Sequence, residues 1–165
     1  MSEVLDIKPA ATDVKSGVRH SDKIAEGLAD VLSDTYALVL KTHAYHWNVE
    51  GPLFYALHNL TEGQYGELFA ATDELAERIR ALGHLAPMTI SEIIGTSVIK
   101  DVKGKPSAGD MAKDLASDHE RVARRLRALV ELAESNNDPV TGDLAIARAA
   151  FHEKSAWMLR SIAAS

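Results

Sequence analysis

His58, Glu62, Asp73 and Glu77 stand in one helical stretch of the chain, at spacings that put their side chains on a common stripe. His58 and Glu62 are four residues apart, one helical turn, and Asp73 and Glu77 repeat that spacing. From Glu62 to Asp73 is eleven residues, about 1100° of rotation, within about 20° of the same direction. His46 lies at the end of the preceding helical segment and comes near His58 if the connection is tight. Imidazoles with carboxylates and no thiolate suit iron, manganese or zinc. A run of Asp and Glu along a helix is also what a solvated face looks like. The feature that speaks for chemistry is two histidines with three carboxylates in matched pairs.

Distance divides this set. Eleven residues rise about 16 Å along a helix axis, whereas metal–ligand bonds are about 2 Å. Glu62 and Asp73 of one chain therefore cannot hold the same ion. Either there are two half-sites, or a second chain completes each one. A two-fold axis crossing the middle of the helix would bring His46, His58 and Glu62 of one chain opposite Asp73 and Glu77 of the other, and would make the site twice. Gly63, Gly66, Ala70 and Ala71 lie along that middle stretch and would let two backbones approach. No histidine has a glutamate three residues before it. The Glu-x-x-His pairs of a di-iron centre built inside a single bundle are thus missing.

The elements that must position these residues follow from apolar periodicity. Ile24, Leu28, Val31, Leu32, Leu38 and Val39 recur at helical spacing. They predict a helix over about 22–48, with Ser21 as N-cap and Gly51-Pro52 ending it. A second runs from near Pro52 to Leu82 and closes on Gly83. Thr89 and Glu92 have the spacing of a capping box and predict a short helix near 90–95. Two further helices cover about 108–134 and 139–162, the last capped by Asp138. The two hairpins have short turns and the middle connection is long enough to cross the bundle. The expected fold is all-α: a ferritin-like four-helix bundle with one long crossover, which carries a short helix between the second and third long helices. Residues 1–20 show no apolar face and are expected to form a flexible tail ahead of a bundle domain over 21–165.

Composition bounds the function. The 165 residues carry 18 Lys and Arg against 24 Asp and Glu, a net charge of −6, which argues against a simple electrostatic nucleic-acid binder. There is no cysteine, hence no disulfide framework and no thiol nucleophile. No apolar run is long enough for a transmembrane helix, and the first residues lack a signal-peptide pattern. The expected location is cytoplasmic.

The run Lys41-Thr-His-Ala-Tyr-His46-Trp-Asn-Val-Glu-Gly51, then Phe54-x-x-x-His58, then Asp73-Glu-Leu-Ala-Glu77-Arg78, resembles the Dps family, the mini-ferritins named as DNA-binding proteins from starved cells. The resemblance spans about 21–162. It implies a hollow homododecamer of 23 symmetry with ferroxidase centres shared between two-fold-related subunits. Each centre takes two iron ions, oxidised from Fe2+ to Fe3+ by hydrogen peroxide in preference to dioxygen, and the ferric product is stored inside. Carried over by position, the ligands are His46, His58 and Glu62 with Asp73 and Glu77 of the neighbouring subunit. Glu62 departs from the family's usual Asp. The resemblance also places Trp47 beside the centre, as a residue that can be oxidised or as an interface aromatic. It places Glu134, Asp138 and Asp143 at three-fold pores that draw Fe2+ inward. Family members that bind DNA often use a Lys-rich tail. Here residues 1–20 carry three positive and three negative side chains, and the last residues are not basic, so DNA binding is expected to be weak or absent. Two other readings stand beside this one: a nucleoid protein that protects by coating DNA, and a helical interaction module without metal.

Overall fold

The structure is a computed structural model and describes residues 6–164. Met1–Leu5, the head of the expected tail, and Ser165 lie outside the described residues. Five helices follow one another: α1 Ser21–Asn48, α2 Phe54–Ala81, α3 Ile90–Gly95, α4 Ala108–Ser135 and α5 Pro139–Ala163. Among the described residues there is no strand. The fold is a ferritin-like four-helix bundle of two antiparallel hairpins, α1–α2 and α4–α5, joined by a crossover that carries α3. Each 28-residue helix is about 42 Å long.

The apolar stripes read from the sequence form the core. Ile24, Leu28, Leu38, Leu57, Leu68, Leu75, Leu115, Leu126 and Leu159 are all fully buried and belong to one cluster. None of these helices would be secure alone. Burial of one face against its neighbours is what holds them.

Helix ends agree with the expectations at three places and differ at two. Thr89 and Glu92 make both bonds of the capping box, Asp138 caps α5, and Gly83 takes the left-handed conformation (φ 93°) just past α2. Ser21, expected as an N-cap, is instead the first residue of α1. His20 holds the cap position with φ 46° and no capping side-chain bond. The Ser21 hydroxyl bonds His84 Nε2 at 2.9 Å, which removes it from the helix end. Helix α2 begins at Phe54 rather than at Pro52, after a turn in which Phe54 N–H donates to Gly51 C=O.

Residues 10–19 run against the helix ends. Thr12 N–H donates to Gly83 C=O, and Arg19 N–H to Asn136 C=O, both at 2.9 Å. Arg80 reaches Ala10 C=O at 3.2 Å.

Two buried polar nodes hold the crossover. Asp34, fully buried in α1, accepts from Ser97 Oγ at 3.0 Å and Val98 N–H at 2.8 Å, and pairs with Arg125 at 2.7 Å. Lys41 donates to Lys100 C=O at 2.7 Å and pairs with Asp114 and Asp118, each at 2.5 Å. Burial pushes the Asp118 carboxyl up, and Lys41 opposes that push. Tyr45 donates to Asp114 at 2.8 Å. Its phenol is held well above the ordinary range, first by burial and then by that carboxylate.

Candidate metal centre

The tight turn between α1 and α2 brings His46 and His58 together. Each ring donates its Nδ1–H to the other residue's backbone carbonyl, at 2.9 Å in both directions. The rings stack with centroids 3.7 Å apart and planes 17° from parallel. In the neutral ring this bond places the proton on Nδ1 and leaves Nε2 its lone pair, the tautomer in which an imidazole binds a metal through Nε2. The carbonyls fix both tautomers and both ring orientations. His46 is buried and His58 half-buried.

Glu62 stands one turn after His58 on α2 and is exposed. Asp73 and Glu77 lie further along the same helix, also exposed. Among the described residues of one chain, no three His, Asp or Glu side chains gather where they could hold an ion. The histidine half and the Asp73–Glu77 half remain apart, as the helical rise requires. Between them α2 carries a bare stretch: a Cβ added at Gly63 or Gly66 would meet nothing within 4 Å. Ala70 is exposed there, and Phe69 is 61% exposed. Ala71, grouped with these from the sequence, is 2% exposed and faces the core.

Trp47 is 65% exposed. Its ring lies 4.2 Å from that of His43, and His43 stacks on Tyr65 at the same distance. Tyr65 in turn meets the edge of His46 at 5.2 Å. Aromatic rings therefore wall the histidine pair on one side.

The three carboxylates of the α4–α5 turn separate. Asp138 is fully buried. Its Oδ1 pairs with Arg78 at 2.7 Å and accepts from Thr141 N–H at 3.0 Å, and its Oδ2 accepts from the Thr141 hydroxyl at 2.5 Å. Both carboxylate oxygens are therefore engaged inside the chain. Glu134 and Asp143 are exposed.

Comparison with known proteins places this arrangement. Residues 25–165 match the ferritin-like domain family. A low temperature-induced protein of Nostoc is 39% identical over 132 residues, 79% of this chain and 74% of its own. DNA protection during starvation protein 2 of Bacillus anthracis is 34% identical, covering 84% of this chain and 95% of its own. The chain belongs to the Dps family of ferritin-like proteins. The Dps protein of Vibrio cholerae, described as a member of a broad superfamily of ferritin-like diiron-carboxylate proteins, superposes with a TM-score of 0.83 at 28% identity over 94% of this chain and 98% of its own. No helix among the described residues of this Dps protein is long and apolar enough to cross a membrane.

Proposed function

We propose that this Dps protein is a ferroxidase and iron store whose centres form between two subunits. In each centre His46, His58 and Glu62 of one subunit face Asp73 and Glu77 of the partner subunit across a two-fold axis at the middle of α2. The observation that carries the reading is the reciprocal bonding of His46 and His58, which fixes two ligand nitrogens, while no three His, Asp or Glu side chains among the described residues of one chain gather to close a site. The bare, partly apolar stretch over Gly63, Gly66 and Phe69 supports an α2–α2 contact. The diiron-carboxylate description of the Vibrio cholerae relative supports iron as the substrate.

Two Fe2+ ions bound side by side give one electron each to hydrogen peroxide. The O–O bond breaks, both oxygens leave at the level of water, and two protons are taken up. Paired electrons avoid the one-electron cleavage that releases hydroxyl radical. Hydrolysis of the two Fe3+ to oxyhydroxide then frees more protons than the reduction consumed. Neutral imidazoles and carboxylates supply ligands to both iron charge states, and exposed Glu and Asp can buffer the protons. Dioxygen is the less favoured oxidant. The assembly is a cytoplasmic dodecamer with acidic pores lined by Glu134 and Asp143, since Asp138 is committed to Arg78 and Thr141. The net charge of −6 per chain, multiplied over the shell, attracts Fe2+ and opposes phosphate. The charge-balanced residues 1–20 add no basic arm, so DNA binding is weak or absent. Protection then comes from removing iron and peroxide, not from coating DNA.

Anaerobic Fe2+ titration of the assembled protein tests this, followed by oxidation with peroxide and with dioxygen. The expected result is two Fe2+ per shared site and faster oxidation by peroxide. The double variant His58→Ala with Asp73→Ala is expected to lose both binding and fast oxidation while the shell stays assembled. Unchanged kinetics in that variant sink the site assignment.

A further inference from the structure

His119 of α4 and His152 of α5 take no part in that chemistry, and both are fully buried. Their Nδ1 atoms are 2.9 Å apart. At that distance one ring carries its proton on Nδ1 and the other is bare there. The first ring is then bare at Nε2, and the second carries its proton at Nε2. The pair therefore presents one acceptor and one donor, and neither Nε2 has a partner.

The helix register puts two more such side chains at the same height. Helices α1 and α4 run antiparallel, with Lys41 against Asp118 and Asp34 against Arg125. Thr42, next to Lys41, thus stands level with His119. Helices α2 and α5 are also antiparallel, with Glu67 against Arg148 and Arg78 against Asp138. One turn before Glu67 is Gln64, and one turn after Arg148 is His152. Thr42 is fully buried and Gln64 is 4% exposed. Among the described residues, five of the six buried side-chain polar atoms without a hydrogen-bond partner belong to these four side chains: Thr42 Oγ1, Gln64 Nε2 and Oε1, His119 Nε2 and His152 Nε2. Buried polar groups of native proteins are satisfied by protein or by ordered water.

The set mixes donors and acceptors, and every member is neutral. It contains no carboxylate, and Arg148 lies nearby with its guanidinium 4.7 Å over the Phe151 ring. A dication would find no counter-charge among these ligands, and the nearby Glu67 carboxylate is already taken by Arg148. A neutral molecule able both to give and to accept hydrogen bonds fits all five atoms. We propose that Thr42, Gln64, His119 and His152 enclose an internal water site in the core of each subunit, with one or two waters bridging the two imidazole Nε2 atoms to the Gln64 amide. Buried waters of this kind make about three hydrogen bonds each. Through them the two rings form one neutral unit: if the shared Nδ1 proton changes sides, the second ring gives its Nε2 proton to the bridging water while the water gives one to the Nε2 of the first, so both roles reverse and each ring keeps one N–H.

A crystal structure of the full chain, at a resolution that shows ordered water, tests the proposal. Crystals soaked in zinc with anomalous data should be compared with unsoaked ones. The expected result is one or two peaks within hydrogen-bonding distance of His119 Nε2 or His152 Nε2 and of Gln64, with no anomalous signal at those peaks in either crystal. A dry layer or an anomalous peak at the two rings overturns it. Gln64→Leu removes two of the five polar atoms and is expected to abolish at least one peak. Unchanged peaks in that variant place Gln64 outside the site and overturn the proposal as stated.

Discussion

The Nδ1 atom of His46 donates to the backbone of His58, and that of His58 donates to the backbone of His46, each at 2.9 Å. Two side chains from successive helices thus hold each other through main-chain atoms. The turn between α1 and α2 and the orientation of both imidazoles depend on one another.

Replacing either histidine by alanine removes a ligand and also releases the other helix end. His46→Ala or His58→Ala is expected to slow Fe2+ oxidation by about 100-fold or more, the scale on which metal sites respond to loss of even a supporting group. Loss of the cross-bond costs about 1 kcal/mol of stability. Stopped-flow oxidation kinetics and thermal melting on the same samples separate the two effects. Glu62→Asp, which keeps the charge one methylene shorter, is expected to stay within about one order of magnitude of the parent rate.

The α4–α5 turn allows its three carboxylates to be told apart. Asp138→Asn leaves Arg78 without a counter-ion in a nearly buried position and weakens the cap on α5. A loss of about 3 kcal/mol is expected, visible as a lower melting temperature, with iron uptake unchanged once the protein is folded. Glu134→Gln with Asp143→Asn is expected to do the reverse: slower iron entry with little change in melting. Equal effects of the two variants on entry would remove the distinction.

Acid should weaken the subunit through its core. His119 is pulled down from its ordinary 6.5 to about 3, first by burial and then by the Arg148 charge. His152 is pulled well below its ordinary value by burial, then by His119 and Arg148. Both are neutral in the fold at pH 7, while the unfolded chain takes up a proton on each near pH 6.5. Stability is therefore unaffected above about pH 6.5 and falls as the pH drops from there, for His119 toward about 3 and for His152 in the same direction. The Asp118 carboxyl, pushed up by burial, acts in the opposite direction as it takes up its proton, so the histidine share is read from the difference between the parent and the histidine variant. Chemical denaturation at pH 7 and pH 5 should differ by about 2 kcal/mol from His119, with His152 adding in the same direction. His119→Gln should remove its share of that slope.

Gly83 turns the chain at φ 93°, and a Cβ there would lie 2.4 Å from the Thr12 carbonyl oxygen. Gly83→Ala is expected to cost about 1–3 kcal/mol, combining left-handed strain with the push against residues 10–14. Faster amide exchange confined to that segment and the end of α2 is the signature to seek. An unchanged exchange pattern would show that the contact does not hold the segment.

The amino-acid order by itself determined the helices and their pairing. Apolar residues at helical spacing define the four long helices, and the Thr89–Glu92 capping box the short one, within two residues of their observed ends, and short turns leave each long pair no choice but to run antiparallel. The stripe His58, Glu62, Asp73, Glu77 and the impossibility of one chain closing it also follow from the sequence, because helical rise and rotation are constants. His119 left a signal there too. It stands four residues after Leu115 and three before Val122, a core position held by a polar ring, but periodicity does not say what such a ring meets. Tertiary structure alone decided that. It paired His119 with His152, gave Lys41 two carboxylates and a carbonyl from the crossover, and took Ser21 from its cap to His84. It also buried Asp138 against Arg78, leaving Glu134 and Asp143 as the exposed carboxylates of that turn. Each of these is a contact between residues far apart in the chain, and its partner is set by the register of one packed helix against another.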